Sequence, residues 1–191
     1  MNSDCVERAK KLFLKIISDH NSDPFGLVRH LDEVERWVAF LIKNNPKADE
    51  EICHIGVWLH DAGYYPLKNE DHAITSERIT KAFLEKEGWG KNRIENAMHV
   101  VRAHRCRDVK PESIEAKILA CADSASHLTD IMYIDIVKNG KYEYVVQKLE
   151  RDYRDTEWFP EVKEMLTPIY RNWKMLLPEL IEIERARGIE K

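Results

Sequence analysis

Apolar residues recur along most of this chain at the three- and four-residue spacing of an amphipathic helix, first over residues 6–18. Ser22 or Asp23 is expected to cap the next helix, with Pro24 in its first turn. Since no alternating run is long enough for a convincing strand, the pattern predicts an all-α fold, a single compact bundle of about eight to ten helices. The remaining helices are predicted over about 27–44, 49–61, 71–87, 91–104, 112–128, 130–138, 141–155, 160–173 and 176–187.

Length and composition narrow the class of protein. With 191 residues and no repeat, linker or low-complexity tract, the chain is expected to form a single domain over 1–191. A net charge of −4 gives no reason to expect a nucleic-acid polymer or a membrane as partner. No apolar run exceeds about five residues, whereas a transmembrane helix needs about 20. The four cysteines form no CxxC pair, which favours reduced thiols. We therefore expect a cytoplasmic protein, either a monomer or a homodimer.

The stretch "GVWLHDAGYY" ends an apolar helix on two adjacent polar residues, His60 and Asp61. Within a helix their side chains would diverge by about 100°, but at a helix end, with Gly63 allowing the chain to turn, they can converge on one ion. The simpler interpretation is a solvated helix end. A carboxylate there opposes the negative end of the helix dipole, at a cost of about 0.3–1 kcal/mol unless a cation offsets it. An imidazole and a carboxylate together suit Mn, Fe, Ni, Zn or Mg.

Two further residues have the character of buried polar groups. His30 lies four residues before Val34 and eleven before Leu41, on the apolar face of its helix, where it is either a hydrogen-bonded core histidine or a ligand. Asp123 lies in "ILACADSASHL" among small and apolar residues, and a carboxylate buried there requires either a salt bridge or a metal ion.

In their order and local contexts, His30, the His60-Asp61 pair and Asp123 resemble the metal-binding signature of the HD superfamily of metal-dependent phosphohydrolases. The segments that carry the resemblance are "RHLDEVERWVAFL", "VWLHDAGYY", "AMHVVRAHR" and "EAKILACADSASHL". They cover an HD core of about 25–130 and leave a helical extension of about 131–191 that matches no signature.

The resemblance implies that a first divalent metal ion is held by four residues, His30, His60, Asp61 and Asp123. One ion is expected, and a second is left open, with Asp61 bridging the two. Three later histidines could bind that second ion or contact a substrate phosphate, namely His72, His99 and His104.

The same residues suggest a chemistry. A divalent ion lowers the pKa of a water molecule and polarises a phosphoryl oxygen, and the catalytic carboxylates Asp61 and Asp123 could orient that water or take its proton. A phosphate also needs cations, and the candidates for substrate binding are Arg102, Arg105 and Lys117, each of which could equally belong to a solvated basic surface.

The sequence thus predicts a metal-dependent phosphohydrolase that acts on a small phosphorylated molecule, a nucleotide. Two alternatives remain. One is a di-iron oxygenase of the HD type, for which the later histidines would complete a two-metal set. The other is a helical regulatory protein that binds metal without turnover, which an open site of two histidines and two aspartates disfavours.

Overall fold

The computed structural model describes residues 4–21, 23, 26–65 and 70–188. Over this part of the chain it contains nine α-helices, two 3-10 turns and no strand, which confirms the predicted all-α fold of about eight to ten helices. Contacts group the chain into two units, Met1–Ala122 and Asp123–Lys191. The expectation of a single domain over 1–191 stays a prediction. Ser22 and Pro24, predicted as a cap and a first-turn residue, lie outside the described residues.

In the first unit, the helices pack around one short apolar helix, Glu50–Leu59. Its helices are α1 (Asp4–His20), α2 (Leu27–Asn44), α3 (Glu50–Leu59), α4 (His72–Lys86), α5 (Lys91–Ala103) and the first part of α6 (Ile114–Thr129), with a 3-10 turn at Ala62–Tyr64 after α3. α3 packs against α1, α2 and α5, and α4 packs against α5 and the 3-10 turn.

α3 runs through the core of this unit, and all of its residues from 52 to 59 are buried. Asp49 caps its N-terminus by accepting a hydrogen bond from the Ile52 amide at 3.2 Å. Gly56 lets α5 and α6 approach it closely, because a Cβ atom there would lie 2.9 Å from Val100 Cγ1 and 3.1 Å from Leu119 Cδ2. The C-terminus of α3, where the His-Asp pair follows, is therefore held in the interior.

The second unit starts within α6 at Asp123 and continues with α7 (Met132–Lys138), α8 (Tyr142–Asp155), a 3-10 turn (Thr156–Trp158) and α9 (Pro160–Ala186). The rings of Tyr153 and Tyr170 stack at 3.8 Å between centroids, which joins α8 to α9. Trp173 on α9 donates a hydrogen bond from its Nε1 to the Leu128 carbonyl at 2.9 Å, so α9 is also tied to the end of α6.

α9 corrects one sequence prediction, since the two helices expected over 160–173 and 176–187 are one helix of 27 residues with Pro168 and Pro178 inside it. A proline in a helix interior costs about 3 kcal/mol, because it removes a hydrogen bond and crowds the carbonyl four residues back. Both prolines are exposed, so water can bind the carbonyls they release. The buried stripe keeps helical spacing on either side of them through Val162, Leu166, Leu177 and Ile181. Neither α9 nor any other helix of the described residues is long and apolar enough to cross a membrane.

The four cysteines are free thiols, as the sequence predicts. Cys53 lies inside α3, where burial raises the pKa of its thiol far above the ordinary value, and burial raises the pKa of Cys5 to about 11. A thiol held protonated in this way is a poor nucleophile and a poor metal ligand. Cys5 and Cys53 therefore act as packing residues.

Candidate metal centre

The His-Asp pair lies where α3 ends. His60 still has helical dihedral angles, with φ −62° and ψ −33°, whereas Asp61 has φ −107° and ψ 4° and leaves the helix. This change of direction turns the two adjacent side chains toward each other, with His60 Nε2 at 3.6 Å from Asp61 Oδ2. The convergence expected from the sequence is present in the structure, and both side chains are buried.

His30 reaches the same carboxylate from α2. The Asp23 carboxylate accepts hydrogen bonds from the first amides of α2, from Leu27 at 2.8 Å and from Val28 at 3.2 Å, and it also accepts one from the Tyr65 hydroxyl at 3.3 Å. Asp23, one of the two expected caps, thus ties the start of α2 to the turn that follows Asp61. His30, one turn into α2, places its Nε2 3.7 Å from Asp61 Oδ2.

Two histidines from other helices face the second oxygen of Asp61. His72 is the first residue of α4, and His104 directly follows α5. Their Nε2 atoms lie 3.3 Å and 3.7 Å from Asp61 Oδ1, and 3.3 Å from each other. One buried carboxylate therefore separates two imidazole pairs, with His30 and His60 at Oδ2 and His72 and His104 at Oδ1.

The donor set fits a divalent metal ion. His60 Nδ1 lies 2.9 Å from the Val57 carbonyl, and His104 Nδ1 lies 2.6 Å from the Val101 carbonyl. Because a carbonyl only accepts, each Nδ1 carries the hydrogen, and the Nε2 of the neutral ring presents a lone pair toward Asp61. This second hydrogen bond is the usual arrangement of a metal-binding histidine. Ligands about 2.0–2.1 Å from a tetrahedral ion are about 3.4 Å apart, close to the spacings observed here.

The electrostatic surroundings of Asp61 also favour a bound cation. Burial by itself would raise the pKa of this carboxyl group, but positive charge on protonated imidazoles of His60, His72 and His104 outweighs burial and holds the pKa well below its usual range. Asp61 is therefore an anion at neutral pH. A metal ion held by the neutral imidazoles would supply the same positive charge beside this carboxylate.

Asp123 lies in the second unit, buried on α6. Its Oδ1 is 3.5 Å from His127 Nε2, and His127 Nδ1 is 3.2 Å from Asp152 Oδ2. Asp152 also lies 3.3 Å from the Lys148 ammonium. Asp123 is thus buried with an orienting histidine behind it, as metal-binding carboxylates usually are. Its place as a ligand beside His30, His60 and Asp61 stays a prediction.

Of the three later histidines, the structure brings together two. His99 accepts a hydrogen bond on its Nε2 from the Glu112 amide at 3.0 Å, so its lone pair serves the loop between α5 and α6. His99 thus has a partner in that loop, and its role as a metal ligand or phosphate contact stays a prediction.

Of the three candidate phosphate-binding residues, the two arginines pair with carboxylates. Arg102 donates to Asp108 from Nη1 at 3.1 Å and pairs with Glu77 at 3.7 Å. Arg105 donates to Asp71 at 2.7 Å. Lys117 is half-buried on α6. Their role in substrate binding stays a prediction.

Two further contacts surround the histidines. The Tyr64 ring stacks on His72, with centroids 3.9 Å apart and planes 12° from parallel. Ser76 on α4 accepts a hydrogen bond from the Gly63 amide at 2.8 Å. Neither follows from helical spacing, because both depend on how α4 docks against the turn after α3.

A match to the HD domain model over residues 27–127 decides the family. The matched segment is more than half of the chain and contains His30, the His60-Asp61 pair and Asp123. The chain belongs to the HD domain family. It is also 28% identical to a tRNA (cytidine(56)-2'-O)-methyltransferase of Picrophilus torridus over 145 residues, which covers 68% of this chain. The chain spans only 39% of the length of that relative. No solved structure gives a significant match.

HD domain proteins are generally metal-dependent hydrolases that bind divalent ions, and the imidazole and carboxylate groups described above are suited to such an ion.

Proposed function

We propose that this HD domain protein is a metal-dependent phosphohydrolase that acts on a small phosphorylated molecule, a nucleotide. The observation that carries the proposal is the buried Asp61 carboxylate, which has two imidazoles at one oxygen and two at the other. Structural zinc sites are usually closed and rich in thiolates, whereas histidine and carboxylate sites keep positions open for water and substrate. Cys5 and Cys53 lie buried in helices, where burial raises the pKa of each thiol, so they are poor sources of thiolate ligands.

The arrangement supports two ions with Asp61 between them. His30 and His60 would hold one ion with Oδ2, and Asp123 is the fourth ligand that the sequence predicts for it. His72 and His104 would hold the other ion with Oδ1. When bound, a divalent ion lowers the pKa of water and offsets the charge that develops on a transferring phosphoryl group.

The residues of the chain have separate tasks in this reaction. Hydrolysis of a phosphate ester joins the oxygen of water to phosphorus, breaks the bond from phosphorus to the ester oxygen, and returns a proton to the leaving alcohol. Asp61, whose pKa is held low, orients groups and does not store that proton. Asp123 is the better candidate for proton transfer, with His127 fixing its position. Burial of these groups excludes bulk water and strengthens their electrostatic effect.

The substrate class rests on the charged and aromatic groups near the histidines. Arg102 and Lys117 are cations that the sequence offers after the later histidines, and an arginine can bind a phosphate with two parallel hydrogen bonds. The Tyr64 ring beside His72 is an aromatic group next to the reacting centre, against which a base or sugar could pack. A compact nucleotide would satisfy both features.

The experiment is metal analysis of protein purified without chelator, followed by phosphate release from a panel of nucleotides with the metal found. Asp61→Ala should abolish metal retention and hydrolysis together, because both imidazole pairs lose their shared anion. Asp32→Ala, which removes an exposed carboxylate from α2, is the matched control and should leave both unchanged. Full metal occupancy in the Asp61→Ala protein would refute the ligand role of Asp61.

A second candidate is the di-iron oxygenase, which the pairing of His72 with His104 at Oδ1 favours, because such an enzyme needs the same two-metal set. Redox-active iron in the purified protein, together with no release of phosphate from the panel, would support it. Stable metal with neither activity would support a regulatory metal-binding protein.

A further inference from the structure

His72 and His104 both lie at helix ends, where the backbone is least constrained. His72 is the first residue of α4, and His104 is the residue after α5. Terminal turns fray and lack half of their internal hydrogen bonds, so the direction of a side chain there depends on what holds the end. His30 lies within α2, and its direction is set by the helix itself.

A single carboxylate holds both of these ends. Asp71, the residue before His72, accepts a hydrogen bond on Oδ1 from the Ala73 amide at 2.9 Å and thereby caps α4. Its Oδ2 accepts a hydrogen bond from Arg105 Nη2 at 2.7 Å. Arg105 is the residue after His104, so the pair joins the start of α4 to the end of α5 through the immediate neighbours of the two histidines.

The dipoles of α4 and α5 stabilise the Asp71–Arg105 ion pair. Asp71 stands at the positive end of α4 and Arg105 at the negative end of α5, so each charge suits the dipole of its own helix. Their side chains are only 29% and 19% exposed, which places the ion pair in partly dry surroundings, where it is stronger than a solvated one.

Tyr64 also holds His72 in place, through a contact between their rings. Its ring covers one face of His72 at 3.9 Å and 12°, and the turn that carries it begins directly after Asp61. His72 is thus held through its backbone by Asp71 and across its ring by Tyr64, which keeps its Nε2 3.3 Å from both Asp61 Oδ1 and His104 Nε2.

We propose that the Asp71–Arg105 ion pair is a positioning device for the His72 and His104 half of the metal centre, and that it sets the affinity of that half for its ion. The inference rests on the proposed two-ion site. It assigns Arg105 to the geometry of the histidines, in contrast to the phosphate contact expected from the sequence. His30 lies within α2 and His60 directly follows α3, whereas the pair joins α4 to α5, so the ion at His30 and His60 should be retained when the pair is broken.

The test is titration of the full-length protein with Mn²⁺, read by bound metal per chain and by electron paramagnetic resonance of the bound ions. Wild-type protein should bind two ions and show the coupled signal of a neighbouring Mn²⁺ pair. Arg105→Gln should weaken the second binding event by about 10- to 100-fold, the usual effect of losing an orienting partner, and leave the signal of an isolated ion. Arg105→Lys, which keeps the charge, should recover part of the loss.

Asp71→Asn separates the ion pair from the cap, because asparagine caps a helix as well as aspartate does. It should keep the thermal stability of α4 and still weaken the second ion. Arg93→Gln is the matched control, since Arg93 pairs with Asp49 and Glu51 at the far end of α3 and should leave both ions in place.

Three results would overturn the proposal. The first is two ions bound with unchanged affinity in Arg105→Gln and Asp71→Asn. The second is unchanged metal binding with a raised KM for the phosphate ester in Arg105→Gln, which would make Arg105 a substrate contact through its buried Nε. The third is a wild-type protein that binds one ion only. If the variants lose the second ion while no nucleotide is hydrolysed, the positioning role stands and the proposed function fails.

Discussion

Gly63→Ala is the substitution on which the packing of the metal centre depends most directly. A Cβ atom at this position would lie 2.1 Å from the His72 carbonyl oxygen and 2.5 Å from the Ser76 amide nitrogen, and both are backbone atoms. No side-chain rotation can relieve such contacts. Gly63 is therefore needed for the close approach of α4, and not only for the turn that the sequence indicates.

The magnitude follows from these distances. To lengthen the shorter contact to 3.0 Å, the start of α4 has to move by about 0.9 Å, the difference between 3.0 and 2.1 Å. That movement carries His72, whose Nε2 now lies 3.3 Å from Asp61 Oδ1. It also strains the hydrogen bond from the Gly63 amide to Ser76 Oγ. Overpacking of this kind costs about 1–3 kcal/mol, which corresponds to a melting temperature lower by roughly 3–10 °C in a chain of this size.

The assay combines thermal unfolding with metal content and phosphate release. Gly63→Ala should unfold at lower temperature, lose the ion at His72 and His104, and reduce kcat by up to about 100-fold, as misplacement of a site by about 1 Å does. Gly90→Ala is the control, because a Cβ atom there meets nothing within 4 Å and its φ of −69° suits alanine. Wild-type stability and metal content in the Gly63→Ala protein would show that the approach of α4 does not position His72.

Two further predictions concern the buried acids of the second unit. Asp155 has a pKa raised to about 6, chiefly by burial, so the folded state binds a proton that the unfolded state releases near pH 4. Stability should therefore fall by about 2–3 kcal/mol as the pH rises from 4 to 6. Asp155→Asn should remove this dependence of stability on pH, measured in thermal melts at pH 4–8. An unchanged dependence would contradict the raised pKa of Asp155. Tyr133→Phe should lower the free energy of unfolding in urea by about 1–3 kcal/mol, because the buried Tyr133 hydroxyl donates a hydrogen bond to Asp152 at 2.8 Å. The control is Tyr144→Phe, which changes an exposed tyrosine. Equal effects of the two substitutions would refute the role of that hydrogen bond.

Most of the helices and half of the metal centre could be predicted from the sequence. Helical spacing is a local property, so α1 to α8 follow from it within a few residues. His30 and the His60-Asp61 pair could also be identified, since each lies on or directly after an apolar helix face. The two helices predicted over 160–173 and 176–187 are one helix for a tertiary reason, because apolar side chains buried on either side of Pro168 and Pro178 offset the cost of these prolines.

The other half of the centre depends on tertiary structure. The sequence offered His72, His99 and His104 as equals, and helical spacing could not separate them. His72 and His104 meet across 32 residues because α4 packs against α5, whereas His99 faces the loop that follows α5. The direction of a side chain within a helix is set by its neighbours in sequence, but the meeting of two helix ends is set by packing, by the space that Gly63 leaves and by the pairing of Asp71 with Arg105.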